Sequence, residues 1–398
     1  MRWLVLSLLL ILLSGCEDTI ETEEGDMDTQ DSPQASSDTP SPPSSDDIPD
    51  STPDTEIATE PNADTGTEAK QSIAKVADPW SDGEIERGVH LYWPDNADDS
   101  RKIVAEKAVR ILDYVVDMGA NSITISFPIY MDNATANEVT VGPGTPTTSR
   151  LEEVLQQANR RELRITLRPL IDEQSLIGSG DWRGSIMPTK QAQWFESVET
   201  LYAPYLEVAE EYEVETFVLL AELNSLQQEE RWSSVISAAR DAFSGELSTS
   251  VNWDSYVAGN LGPEVDVLGL DAYFPMDIGD DATVNQLVDG WDHWLNQAEG
   301  HIDISSTLMH EVGIPAQNGA YRKPNDWGEG DQELNETVQE RWFQSACSIV
   351  RLRKMKGIYY WKLDFHSDPK QTSTDENRTS FVGRPAEEVI KACFEELS

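Results

Sequence analysis

Eight apolar runs rich in valine, isoleucine and aromatic residues recur between residues 80 and 398, and helical patterns separate them. The runs cover residues 88–93, 122–129, 164–171, 216–222, 248–253, 265–273, 307–311 and 357–363. Between the first two, Ile103, Val104, Ala108, Ile111, Leu112, Val115 and Val116 repeat at three-and-four spacing and form one apolar stripe. Similar patterns occupy 151–160, 191–212, 231–243, 284–298, 338–355 and 386–397, while 254–264 is short and only weakly helical. Strand-helix alternation demands a parallel sheet with crossover connections. Eight such units close most economically into a (β/α)8 TIM barrel, an α/β fold.

The N-terminus has a different character. Met1-Arg2-Trp3, an apolar stretch to Leu13 and then Ser14-Gly15-Cys16 have the basic start, short apolar core and small-residue exit of a signal peptide over residues 1–16. The stretch is too short to remain as a membrane-spanning helix. Leu13-Ser14-Gly15-Cys16 resembles the bacterial lipobox, which implies acylation of Cys16 and a lipid anchor facing the cell surface or periplasm, with the outer membrane favoured. Residues 17–79 read as a disordered tether of Ser, Thr, Pro, Asp and Glu, too poor in apolar surface to offset chain entropy. Between Glu17 and Ala69 lie 17 acidic residues and no basic one, and the whole chain carries a net charge of −44. That field repels nucleic acid and favours a neutral substrate. Beyond Cys16 the only cysteines are Cys347 and Cys393, on the seventh and eighth expected helices. They fit one disulfide or two buried thiols equally well, and nothing points to a cysteine metal site.

In a TIM barrel, residues at the C-terminal ends of the strands converge on one open mouth. Glu222 and Glu311 stand at two such ends. A pair of carboxylates on one site is the minimum equipment for cleaving a glycosidic bond, with no metal or organic cofactor required. Alternation along the fourth strand places Val218, Leu220 and Glu222 on one face, toward the barrel interior. Other strand ends supply Trp93, Arg168, Asn252, Trp253, Tyr273 and Trp361, a mixture of aromatic faces for sugar C–H groups and polar groups for hydroxyls. His310 reads as a hydrogen-bonded packing residue, and Asp172, Glu173 and Asp364 as acidic loop residues.

Several motifs are more specific. Asp181-Trp182-Arg183-Gly184-Ser185-Ile186-Met187-Pro188, Ala221-Glu222-Leu223, Leu270-Asp271-Ala272-Tyr273-Phe274-Pro275, His310-Glu311-Val312-Gly313 and Phe381-Val382-Gly383-Arg384-Pro385-Ala386 resemble glycoside hydrolase family 113 across nearly the whole 80–398 domain. The resemblance implies a retaining enzyme acting on β-1,4-mannan. It further implies Glu222 as acid/base, Glu311 as nucleophile, Tyr273 as hydrogen-bond partner of that nucleophile and Trp361 as platform beneath the reacting sugar. Many relatives in the wider clan carry asparagine just before the acid/base, where this chain has Ala221. Another β-glycan such as glucan or xylan, or a binding protein that has lost catalysis, therefore remains open beside the mannan reading.

Overall fold

The computed structural model describes residues 73–172, 176, 180–298, 302–326 and 332–398. The signal segment with Cys16, residues 17–72 of the tether and Glu173 lie outside the described residues. Val76 is buried and its N–H donates to the Arg161 carbonyl, so ordered chain begins ahead of Trp80.

Eight parallel strands close in chain order: β1 (Glu86–Tyr92), β2 (Ser122–Ile129), β3 (Arg164–Ile171), β4 (Thr216–Ala221), β5 (Glu246–Asn252), β6 (Val267–Asp271), β7 (Thr307–Val312) and β8 (Gly357–Asp364), with β8 pairing back to β1. Among the described residues each strand is followed by one α-helix. These are α1 (Arg101–Asp117), α2 (Thr148–Asn159), α3 (Gln191–Glu211), α4 (Trp232–Ala242), α5 (Trp253–Val257), α6 (Val284–Leu295), α7 (Glu336–Arg353) and α8 (Pro385–Glu396). The weak helical signal after β5 corresponds to the five residues of α5. The expected (β/α)8 barrel is therefore the fold.

The strand sequences explain why the barrel has a dry outside and a polar inside. In β2, Ile123, Ile125 and Phe127 belong to the large core beneath the helices, while Ser122, Thr124 and Ser126 alternate with them. Side chains on a strand point to opposite faces in turn, so the second set enters the lumen. There Thr124 and Ser126 meet the rings of His310 and His90 at 3.1 Å. Helices supply the outer half of the core through stripes such as Val104, Ala108, Ile111, Leu112 and Val115 on α1. Ser100 starts that helix by accepting from the Ile103 N–H. At the N-terminal end of the barrel, Arg164 pairs with Glu86 and lies under the Trp80 ring at 4.0 Å, while Tyr359 donates to Glu86 at 2.7 Å.

Cys347 on α7 and Cys393 on α8 are joined, so of the two readings of this pair the disulfide holds. The bridge closes a loop spanning 46 residues, and the loss of unfolded-chain entropy on that scale stabilises the native state by about 4 kcal/mol. Replacing both cysteines by alanine is expected to lower the urea midpoint by an amount corresponding to a few kcal/mol. Equal midpoints for the two proteins would remove the bridge from any account of stability.

Candidate active site

Arg168, the fifth residue of β3, extends into the lumen with its side chain fully buried. One arm of the guanidinium reaches the Glu311 carboxylate on β7, and the other reaches Asp271 Oδ2 at the end of β6 at 2.9 Å. Burial works against the charge of Arg168, but Glu311, Asp271 and Glu222 outweigh it and hold the guanidinium above even its ordinary range. It is a fixed cation. Tyr273 donates from its hydroxyl to Glu311 Oε2 at 2.7 Å. Burial pushes that phenol well upward and the charge of Glu311 adds to the effect, so Tyr273 keeps its proton and remains a donor.

Behind these groups runs a hydrogen-bonded chain. Ser250 Oγ donates to Asp271 Oδ1 at 2.6 Å, and His310 Nδ1 lies 3.1 Å from Ser250 Oγ. Since the serine proton is directed at Asp271, the imidazole Nδ1–H donates to Ser250, and Nε2 accepts from Thr124 Oγ1 at 3.1 Å. Burial pushes His310 and His90 far below the usual histidine range, so both rings are neutral near pH 7. The reading of His310 as a packing residue therefore agrees with its surroundings. Burial also raises Asp271 against the pull of Arg168, with the nearby charge of Glu311 adding to the rise.

Glu222 arrives by a different device. The expectation that Val218, Leu220 and Glu222 share one face fails, because pairing with β5 slips one residue between Val218 and Leu220. After this bulge Leu219 and Leu220 both pack in the outer core, whereas Val218 and Ala221 join Leu170, Trp361 and Tyr92 in a small apolar cluster. Glu222 then takes left-handed backbone geometry (φ 53°), and its N–H donates to the Ser250 carbonyl at 2.9 Å. The other non-glycine residues described with positive φ, Glu162, Glu213 and Lys354, follow helices, where such a residue is routine. Glu222 follows a strand. Its carboxylate accepts from Arg183 at 2.6 Å and contributes to the field felt by Arg168, Asp271 and Tyr273.

Of the eight sequence-nominated residues, Arg168, Glu222, Tyr273, Glu311 and Trp361 come together at the C-terminal end of the barrel. Trp361 is nearly buried beside Ala221 and Tyr92 and approaches His90 at 5.1 Å between ring centres. Trp93 does not join them: it is fully buried and stacks on Phe365 at 4.7 Å, in the core outside the lumen. Asn252 caps α5 by accepting from the Trp253 N–H, and Trp253 packs edge-on against Trp294 at 5.5 Å, so local structure accounts for both. Asp364 pairs with Lys362 at 2.9 Å, whose ammonium sits 4.7 Å over the Tyr92 ring. Reading residues one by one overlooked Asp271, Ser250 and Arg183. Asp271 escaped the strand-end rule because the sixth run read from the sequence continues to Tyr273, two residues past the end of β6.

Because Arg168 alone separates two buried carboxylates in this cluster, Arg168→Leu is expected to destabilise the fold by about 3–5 kcal/mol. The sign of its pH dependence follows from Asp271. A carboxyl raised in the folded state favours folding below its unfolded value and costs stability as pH rises through the folded value, so the deficit should shrink on acidification. Thermal melts from pH 7 to pH 4 check this, and a deficit independent of pH would contradict it.

The family model described as Glycoside Hydrolase Family 113 matches residues 98–384. Among solved structures, the chain is similar to a GH113 beta-1,4-mannanase at 21% identity and a TM-score of 0.64, covering 78% of this chain and 99% of that one. It is also similar to the GH113 beta-mannanase of Alicyclobacillus acidocaldarius in complex with ManMIm, at 19% identity and a TM-score of 0.63 over 80% of this chain and 99% of that one. No curated protein matches the chain. The structural likeness speaks to the fold alone at these identities, but the family match extends over more than half of the sequence and takes in both glutamates, Arg168, Arg183 and Tyr273: the chain belongs to glycoside hydrolase family 113.

Proposed function

We propose that the protein is a retaining β-mannanase in which Glu311 attacks the anomeric carbon and Glu222 delivers a proton to the departing glycosidic oxygen. The observation that carries this reading is the shared field of the two glutamates: each acts on the same Arg168, Asp271 and Tyr273 within one barrel mouth. Arg168 and Tyr273 each donate to a different oxygen of Glu311. Two donors on two oxygens fix the rotation of the carboxylate, so little reorganisation is needed before attack. Formation of the glycosyl ester removes the charge of Glu311, after which Glu222 takes a proton from water and the ester is hydrolysed. Trp361, held by Ala221 and Tyr92, offers an aromatic face to the sugar, and the solved GH113 relatives named as mannanases support β-1,4-mannan as substrate.

Gly313 keeps this arrangement close. A Cβ added there would lie 3.2 Å from both the Tyr273 hydroxyl and the Trp361 side chain, so the nucleophile's partner and the platform would have to part. We further propose that residues 1–16 direct export, that Cys16 carries a lipid anchor in the bacterial envelope, and that residues 17–72 tether the barrel to it. Palmitate labelling that disappears in Cys16→Ala checks the anchor.

A polysaccharide panel with anomer-resolved product analysis tests the enzymatic reading. Reducing ends from β-mannan with the β-anomer appearing first are expected, with Glu311→Ala below detection. Gly313→Ala should lose about tenfold in kcat, the scale of an ångström-sized misplacement or less. Release from glucan or xylan instead of mannan would favour the other β-glycan reading, for which the unreactive Ala221 methyl leaves room. Unimpaired hydrolysis by Glu311→Ala would refute the assigned nucleophile.

A further inference from the structure

We propose that Arg183 is a positioning residue for Glu222, fixing the rotation of its carboxyl group and governing how tightly that group holds its proton. The inference rests on the acid/base role proposed above for Glu222. It concerns a residue on the long β3–α3 connection, 12 residues in sequence beyond the last residue of β3.

Arg183 begins a single 3-10 turn, Arg183–Ser185. Its Nε donates to the carbonyl of Ile171, the last residue of β3, at 3.0 Å, and its Nη1 donates to Glu222 Oε2 at 2.6 Å. The guanidinium thus bridges the end of one strand to the acid that follows the next. Its turn is also tied to the segment after β4: the Ser225 N–H donates to the Gly184 carbonyl at 3.0 Å, and the Ser225 hydroxyl donates to the Ile186 carbonyl at 2.5 Å. Within the turn, the Trp182 N–H donates to Ser185 Oγ at 3.1 Å. These bonds leave the guanidinium little freedom relative to the backbone that carries Glu222.

That backbone needs such a partner. A glutamate in left-handed geometry at a strand end is strained and persists only where its surroundings over-determine it. The side chains of Arg183 and Glu222 are 14% and 12% exposed, so solvent screens their attraction weakly. The charge of Arg183 reaches the mouth more widely, lowering the otherwise raised Tyr92.

The consequence for chemistry is definite. With Oε2 accepting from the Arg183 cation, the rotation of the Glu222 carboxyl group is constrained. A fixed unlike charge also favours the ionised form, opposing burial and the negative charge of Glu311. Removal of the Arg183 charge is therefore expected to make Glu222 hold its proton more tightly.

The test uses the full-length chain carrying 13C at the glutamate side-chain carboxyl, with the Glu222 signal assigned by its loss in Glu222→Gln. Titration in Arg183→Gln is expected to place the Glu222 midpoint about one pH unit above that of the unchanged protein. Arg183→Lys, which retains the charge, should recover most of the shift. On mannan, the alkaline limb of kcat/KM should move upward by the same amount in Arg183→Gln while kcat falls roughly tenfold, part of what a general acid contributes. Identical midpoints in the Gln, Lys and unchanged proteins would overturn the inference. If the unchanged protein released nothing from mannan, the substrate reading would fail, and the carboxyl titration would still decide for or against Arg183.

Discussion

One buried guanidinium organises this barrel. Taking Arg168 out of water costs several kcal/mol, and so does burying Asp271 and Glu311, so each is tolerable only with the others in place. The planar fork of arginine lets one side chain serve a carboxylate with each arm, whereas a lysine ammonium would lack that geometry. Three strands, β3, β6 and β7, are thereby held in fixed relation at the level where the mouth begins. The same low-dielectric surroundings that make the array expensive make its fields strong, and a site that stabilises developing charge needs such fields.

Around that array the strands depart from regular pairing where departure is useful. Register slips fall between Val218 and Leu220 on β4, between Leu270 and Asp271 on β6 and between Met309 and Val312 on β7. Bulges turn side chains away from strict alternation. On β7 the consequence is that neighbours in sequence serve the same interior: His310 joins the hydrogen-bonded chain through Thr124 and Ser250, and Glu311 meets Arg168 and Tyr273. On β4 the bulge sends Ala221 toward Trp361 and leaves Glu222 to be aimed by its own backbone torsion and by Arg183.

The barrel was legible because alternation of strands with helical stripes is a property of the whole chain, insensitive to a residue's error at any boundary. The site was legible only in part, since a one-residue error at a strand end reverses the face. Trp93 continues the parity of Val89 and Leu91, which pack outward, while His90 and Tyr92 have the parity of the lumen. Parity alone would have returned Trp93 to the core. Asn252 shares the parity of Ser250, but the chain turns into α5 at that point and its side chain caps the helix. Glu222 is legible from its place at the end of β4, whereas the alternation that puts it on one face with Val218 and Leu220 fails, because no sequence rule announces the bulge at Leu219. Arg183 lay beyond such reasoning altogether, since a long connection carries no period from which direction can be read.

The charges at the mouth bear on the substrate. Arg168 is paired with Asp271 and Glu311, Arg183 with Glu222, and Lys362 with Asp364. A substrate carboxylate would have to draw one of these cations from its partner and leave that partner uncompensated at low dielectric, within a chain whose net charge is already −44. An uncharged sugar imposes no such exchange: it presents hydroxyls to groups already oriented and C–H faces to Trp361. The proposed mannan, being neutral, is a substrate that leaves these ion pairs in place.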